Sequence, residues 1–269
     1  MKRESPSTMS PAPAQSPILQ ARLAISLAWV AGYTNIIAVL VCGHVASHVT
    51  GHASQLGQAA AGGDWNLALF VGAILVAFFL GAVLSACATE VARWRGVRSV
   101  YVVPAALELV LLAVFAQLVR LHDPAQVESG AMLWWMTIVA SIAMGLQNAT
   151  ITRISGGVVR TTHLTGVLTD LGLESVRRAM ERMAMRAGKS DRDRAEYARA
   201  DEAARWRLLL LASIFGAFVV GSSCGVFAFQ SFAHWSMIPP IALLAWVIAV
   251  DIRRPIAASS DGVTKDVGA

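Results

Sequence analysis

Six residues of this chain are placed to do chemistry in an otherwise apolar sequence: His48, Thr50 and Gly51, and His163, Thr165 and Gly166. Each trio sits in a polar stretch, Ser47 to Gly57 and Thr162 to Gly172, and the two stretches align without a gap at an offset of 115. The shared pattern is [Ser/Thr]-His-[Val/Leu]-Thr-Gly-x-x-[Ser/Thr]-[Gln/Asp]-Leu-Gly. Thr-Gly at the start of a helix offers a hydroxyl for capping and free amide N–H groups for a polar ligand. Each copy follows a long apolar run carrying Gly-x-x-Asn, Gly32 to Asn35 and Gly145 to Asn148. Asn35, Gln147 and Asn148 therefore join the two trios as candidate solute-binding positions. Such self-similarity marks an internal duplication.

His44, His48 and His52 are four residues apart and would share one face of a continuous helix, an arrangement open to a metal. Thr50-Gly51 interrupts such a helix, however, and only His48 has a counterpart in the second copy. The histidines read as hydrogen-bonded groups at helix junctions, and no metal is expected. Glu108 stands near the middle of an apolar run. Intramembrane acids are costly and usually face a bundle interior, so Glu108 is either a structural carboxyl bonded to a neighbouring helix or a proton-coupling group. No nucleophile accompanies the histidines. His-Glu-x-x-His is missing, Gly221-Ser222-Ser223-Cys224-Gly225 matches Gly-x-Ser-x-Gly only inside an apolar run, and Gly188-Lys189-Ser190 has Met183 where a phosphate-cradling loop needs its first glycine. Neither an enzyme nor an ATP-driven pump is therefore expected, and no cofactor.

These residues must be positioned by membrane helices. The chain is 56% hydrophobic and only 14% charged, which is not the balance of a soluble domain. Six apolar runs, at about 23–41, 67–88, 97–119, 131–151, 208–229 and 232–250, approach or exceed the roughly 20 residues that cross a bilayer. The expected fold is all-α: a polytopic membrane protein with six transmembrane helices in two inverted three-helix repeats, with short re-entrant or broken segments at the Thr-Gly pairs. Repeat one covers 21–120 and repeat two 131–252 within a single membrane domain at 21–253. Residues 1–20 and 254–269 read as disordered cytoplasmic tails. Cys42, Cys87 and Cys224 show no paired spacing and read as small core residues.

Lys and Arg are distributed unevenly. None occurs in 42–66, whereas Arg93, Arg95 and Arg98 crowd the next connection and twelve basic residues occupy 152–207. The last span is followed by Asp251, Arg253 and Arg254. The positive-inside rule puts both termini of this multi-pass membrane protein in the cytoplasm. With the basic residues flanking spans in this way, the net charge of +5 points to a membrane surface and not to nucleic acid. Three spans per half place the halves upside down relative to each other, a plan of secondary transporters with the site near the midplane. In the second and fifth spans, Phe78-x-x-Gly81-x-x-x-Ser85 parallels Phe218-x-x-Gly221-x-x-x-Gly225, as expected of helix-packing positions. Residues 171–187 line up Leu173, Val176, Met180, Met183 and Ala187 opposite arginines, an amphipathic helix expected on the inner leaflet. Ser190-x-x-Asp193 would cap the helix that follows. Pro239-Pro240 should kink the sixth span.

Gly32-Tyr33-Thr34-Asn35, Ser47-His48-Val49-Thr50-Gly51-His52, Gly145-Leu146-Gln147-Asn148 and Thr161-Thr162-His163-Leu164-Thr165-Gly166 together resemble the YoaK family of bacterial membrane proteins. The resemblance covers about residues 20–252 and implies a six-helix layout with no characterised activity. Asn35 stands where that family more often has Asp, and His52 where it more often has Asn, so no charge-dependent role carries over to the first site. The expected function is a secondary transporter or channel for a small polar solute, in a lipid bilayer and open to homo-oligomer formation. The alternative is a non-transporting scaffold or sensor acting through the basic helix at 171–187.

Overall fold

The computed structural model describes residues 17–97, 99, 101–123, 125, 129–154, 164–187 and 191–253. Among them the chain forms eight α-helices: α1 (Pro17–Cys42), α2 (Val49–Ala61), α3 (Trp65–Trp94), α4 (Val102–Leu121), α5 (Gly130–Ile154), α6 (Leu164–Ala187), α7 (Asp191–Phe232) and α8 (Ile238–Arg253). Five helices, α1, α3, α4, α5 and α7, are long and apolar enough to cross a membrane. The expected sixth span divides into a 3-10 turn, Ala233–Trp235, and the shorter α8. Pro239 and Pro240 do not kink a long helix. They sit in the first turn of α8, where a missing N–H removes no intrahelical bond.

α1 and α5 lie inside, and their apolar residues, among them Leu27, Ala31, Ile37, Met136, Ala140 and Met144, form the main core with Leu211 and Ile214 of α7 and Leu244 of α8. In lipid, apolar surface alone does not drive helices together, and close backbone approach takes over. Four glycines provide it. A Cβ built on Gly32 of α1 would stand 2.1 Å from the Phe218 carbonyl oxygen of α7, and one on Gly145 of α5 would stand 2.0 Å from the Phe78 carbonyl oxygen of α3. The reverse contacts match: Gly221 of α7 against the Trp29 carbonyl oxygen of α1 at 2.2 Å, and Gly81 of α3 against the Ile142 carbonyl oxygen of α5 at 2.0 Å. The first helix of each half thus crosses the second helix of the other half through the same residues. The remaining packing follows suit, since α2 lies on α3 as α6 lies on α7, and α4 on α5 as α8 on α1. Pro104 and Pro240, buried near the starts of α4 and α8, occupy matching places.

Polar ties hold the crossings in register. Ser222 Oγ donates to the Gly32 carbonyl at 3.0 Å, and Ser85 Oγ and Thr150 Oγ1 share a hydrogen bond of 2.8 Å between α3 and α5. The Tyr33 hydroxyl donates to the Ser236 carbonyl at the turn before α8. Cys42 is buried, but Cys87 and Cys224 are exposed, so only the first fits the expectation of a core residue.

The amphipathic stretch 171–187 is not a separate helix. It continues α6 from the second Thr-Gly pair outward, antiparallel to the charged start of α7, where Arg178 and Arg182 each reach Asp201 Oδ1 at 3.1 Å. Burial raises the Asp201 carboxyl, but hydrogen bonds and charge from the two arginines outweigh it and hold the group below the ordinary carboxylate range. Leu173, Val176, Met180 and Met183 stay exposed along the far side of α6. Ser190, and with it the capping pattern, lies outside the described residues, as do both tails.

Candidate functional site

Asn35 ties the first repeated segment to the bundle interior. α1 ends at Cys42, and Gly43, with φ of 71°, turns the chain back as only glycine readily does. The Asn35 side-chain Oδ1 then accepts from the Ser47 amide at 3.1 Å, while its Nδ2 donates to the Ala31 carbonyl at 2.9 Å and meets Met144 Sδ at 3.7 Å. Asn35 precedes the end of α1 by seven residues, so Ser47 has come back about 10 Å along the helix axis. Its level is that of Met144, inside α5. Asn35 is 3% exposed and fully engaged, which a side chain awaiting only solvent would not be.

α2 starts from this recess. Thr50 and Gly51 fall in its first turn, as Thr165 and Gly166 fall in the first turn of α6. The local bonding is the same in both copies: Ser54 Oγ donates to the Thr50 carbonyl and Thr169 Oγ1 to the Thr165 carbonyl, at 3.2 and 2.9 Å. His48 is the N-cap residue of α2, and no side chain caps the helix there, so the expected Thr50 hydroxyl cap does not form. First-turn amides of a helix lack intrahelical partners. Thr50 and Thr165 are exposed, whereas His52 and its counterpart Val167 are buried.

Gly51 does not break the helix. Its φ is not positive, and a Cβ there would meet only the His48 ring, 2.1 Å from Cδ2. The glycine accommodates the imidazole folded over it. The three histidines do gather: the His44 and His48 rings each lie 6.3 Å from the His52 ring, and His44 stacks edge-on to Phe70 at 5.1 Å. His52, not His48, makes the junction bond, its Nε2 lying 2.8 Å from the Val45 carbonyl oxygen. Burial first, and then the neighbouring His52, lowers the His44 pKa from the ordinary histidine value. Neither these histidines nor any other three His, Cys, Asp or Glu side chains among the described residues are placed to hold a metal ion together. His163 lies outside them.

Gln147 is fully buried where α5 meets α1, its Nε2 donating to the Leu27 carbonyl at 2.7 Å and its Oε1 unpartnered. Thr34, the matching residue of α1, is also fully buried with an unpartnered hydroxyl. The second copy of Gly-x-x-Asn thus repeats the first here: a buried polar residue directly precedes each asparagine. Asn148 itself is half-buried and has a polar partner of its own.

Glu108 is 1% exposed, but it sits in the second turn of α4 and not midway along a span. With Tyr101, Leu27, Thr150 and Asp251 it lines a cavity of about 20 Å³. Asp251 was expected at the start of the tail. It belongs to α8, is 5% exposed, and accepts from Ser99 Oγ at 2.5 Å. The spacing of Leu244, Val247 and Asp251 along one helical face is the signal that would have placed it inside.

Nothing among curated proteins or solved structures matches the chain. One family model does, spanning residues 23–250 and described as a protein of unknown function. That stretch takes in all eight helices apart from the first turns of α1 and the end of α8, and the chain belongs to this family, DUF1275.

Proposed function

We propose that this protein is a secondary transporter or channel for a small polar solute in the bacterial inner membrane, with six crossings in two inverted halves. The observation that carries the reading is the Ser47–Asn35 bond, which draws a polar segment back beside α1 to the level of Met144. Non-helical backbone at membrane depth is tolerated only where protein or a water-filled cavity covers it. The amino ends of α2 and α6 then offer Thr50, Gly51, Thr165 and Gly166 to a solute from opposite faces. His48 stands beside the first pair, and Asn35, Gln147 and Asn148 lie behind. Equivalent glycine crossings in the two halves support the duplication, and two pseudo-symmetric units moving against each other is how inverted-repeat carriers alternate access. The 3-10 turn with α8 supplies the sixth crossing. The reading assigns no catalysis, cofactor or nucleic acid.

Purified protein in liposomes, screened for flux of small polar solutes, tests this. Flux that disappears in a Thr50→Val, Thr165→Val variant of normal thermal stability supports the site, and flux untouched by both changes rejects it. A second reading, a scaffold or sensor, is favoured by the exposed stripe Leu173, Val176, Met180 and Met183 on α6. It expects no flux, and loss of function when that stripe is made polar.

A further inference from the structure

The Glu108 carboxyl has a buried oxygen, Oε1, with no hydrogen-bond partner among the described residues, in a cavity just large enough for one water. A buried unpartnered polar atom in a native fold calls for a reason. The lining identifies one. α1 contributes Leu23 and Leu27, α5 contributes Thr150, and α8 contributes Leu244, Val247, Ile248 and Asp251. Tyr101, at the start of α4, also lines it, and Arg93 and Arg153 act on Tyr101 electrostatically. Among the described residues no Lys or Arg lines the cavity, so none of them neutralises a carboxylate there. A lone carboxylate without a cation is strongly disfavoured at such a place, and a proton is the simplest ligand that relieves it.

We propose that Glu108 is a proton-binding site in exchange with the arginine-bearing face of the bundle, by way of this cavity and Asp251. Glu108 is seven positions along the chain from Tyr101, about 10 Å at the helical rise, and Asp251 lines the same cavity between α8 and these two residues. Thr150, whose hydroxyl donates to the Leu146 carbonyl and also bonds Ser85, links the cavity wall to the α3–α5 crossing. The second half has Leu244 where the first has Glu108, so the proton belongs to one half only. This inference deepens the transport reading by assigning a coupling group.

The test needs no solute, so it stands apart from the flux screen. Full-length protein is reconstituted with known sidedness in proton-tight liposomes, and the pH of each compartment is set separately. Dicyclohexylcarbodiimide reports the state of the site: a protonated carboxyl adds across its C=N bond, and the product rearranges to a stable N-acylurea detected by mass spectrometry. Glu108 is expected to be modified, with a yield that falls several-fold as the compartment facing Arg93 and Arg253 is made alkaline. The pH of the other compartment should have no effect. Asp251→Asn should slow that response while leaving its end points in place. Modification that follows the opposite compartment, or neither, or no modification of Glu108 at any pH, overturns the proposal. An unchanged response in Asp251→Asn overturns the route through Asp251.

Discussion

At the scale of single residues, glycines that look alike in the sequence have opposite roles. Gly32 and Gly145 let one helix backbone touch another, and a methyl there would sit about 2 Å from a carbonyl oxygen that no rotamer change can move. Gly32→Ala or Gly145→Ala should therefore force a crossing apart, at a cost typical of overpacked cores, about 1–3 kcal/mol. Thermal unfolding in detergent would show it as a clear fall in midpoint. Gly51→Ala meets only the exposed His48 ring, which can swing away, and should leave the midpoint nearly unchanged. Equal destabilisation by Gly51→Ala and Gly32→Ala would mean that α2 is held far more rigidly than its exposed first turn indicates. Asn35→Ala is a different case, because it strips the Ser47 amide of its acceptor in a recess. An unsatisfied buried donor costs about 1–3 kcal/mol, and protease access to residues 43–48 should rise with it. The sequence marked Asn35 through its Gly-x-x-Asn repeat, but not its partner twelve residues on. That bond depends on a chain reversal at Gly43, which leaves no periodic trace.

At the scale of elements, apolar run length placed a helix at each of five runs, because in lipid a helix must be long and apolar before anything else, but α7 begins at Asp191, well before its apolar run at 208. It missed what depends on tertiary pairing. α6 is a case: its exposed stripe is legible from spacing, yet its course is set by Arg178 and Arg182 closing on Asp201, across a connection of no recognisable pattern. The clasp makes its own prediction. Asp201 is held below the ordinary carboxylate range, so its contribution is complete above about pH 4 and is lost only as pH falls through the lower native value. Hydrogen exchange of the 176–187 amides, corrected for its intrinsic pH dependence, should be flat from neutral pH down to the carboxylate range and quicken below it. Asp201→Asn should show the quickened exchange already at neutral pH. A variant indistinguishable from the parent would mean that apolar packing alone holds the hairpin.

At the scale of the whole molecule, the question is whether α8 completes a sixth crossing. The four glycine contacts pair α1 with α7 as they pair α5 with α3, and α8 packs on α1 as α4 packs on α5. Its sixteen residues are short for a span, about 24 Å at the usual helical rise. The turn Ala233–Trp235 extends it, and Arg120 over the Trp235 ring at 4.0 Å anchors that turn to the end of α4. Asp251 and Arg253 then arrive beside Ser99, at the end of the bundle that also holds Arg93. A chain with five crossings would separate its ends by a bilayer, whereas six return them to one side. Single cysteines at positions 58, 96, 199 and 253, in a background with Cys42, Cys87 and Cys224 changed to Ala, decide between these. Position 58 should react with an impermeant maleimide from the periplasm, and 96, 199 and 253 only after the cytoplasmic face is opened. Labelling of 253 from the periplasm would reduce the protein to five crossings. Labelling of 58 and 199 from the same side would put the two Thr-Gly segments on one face, and a carrier working by inverted halves would then be ruled out.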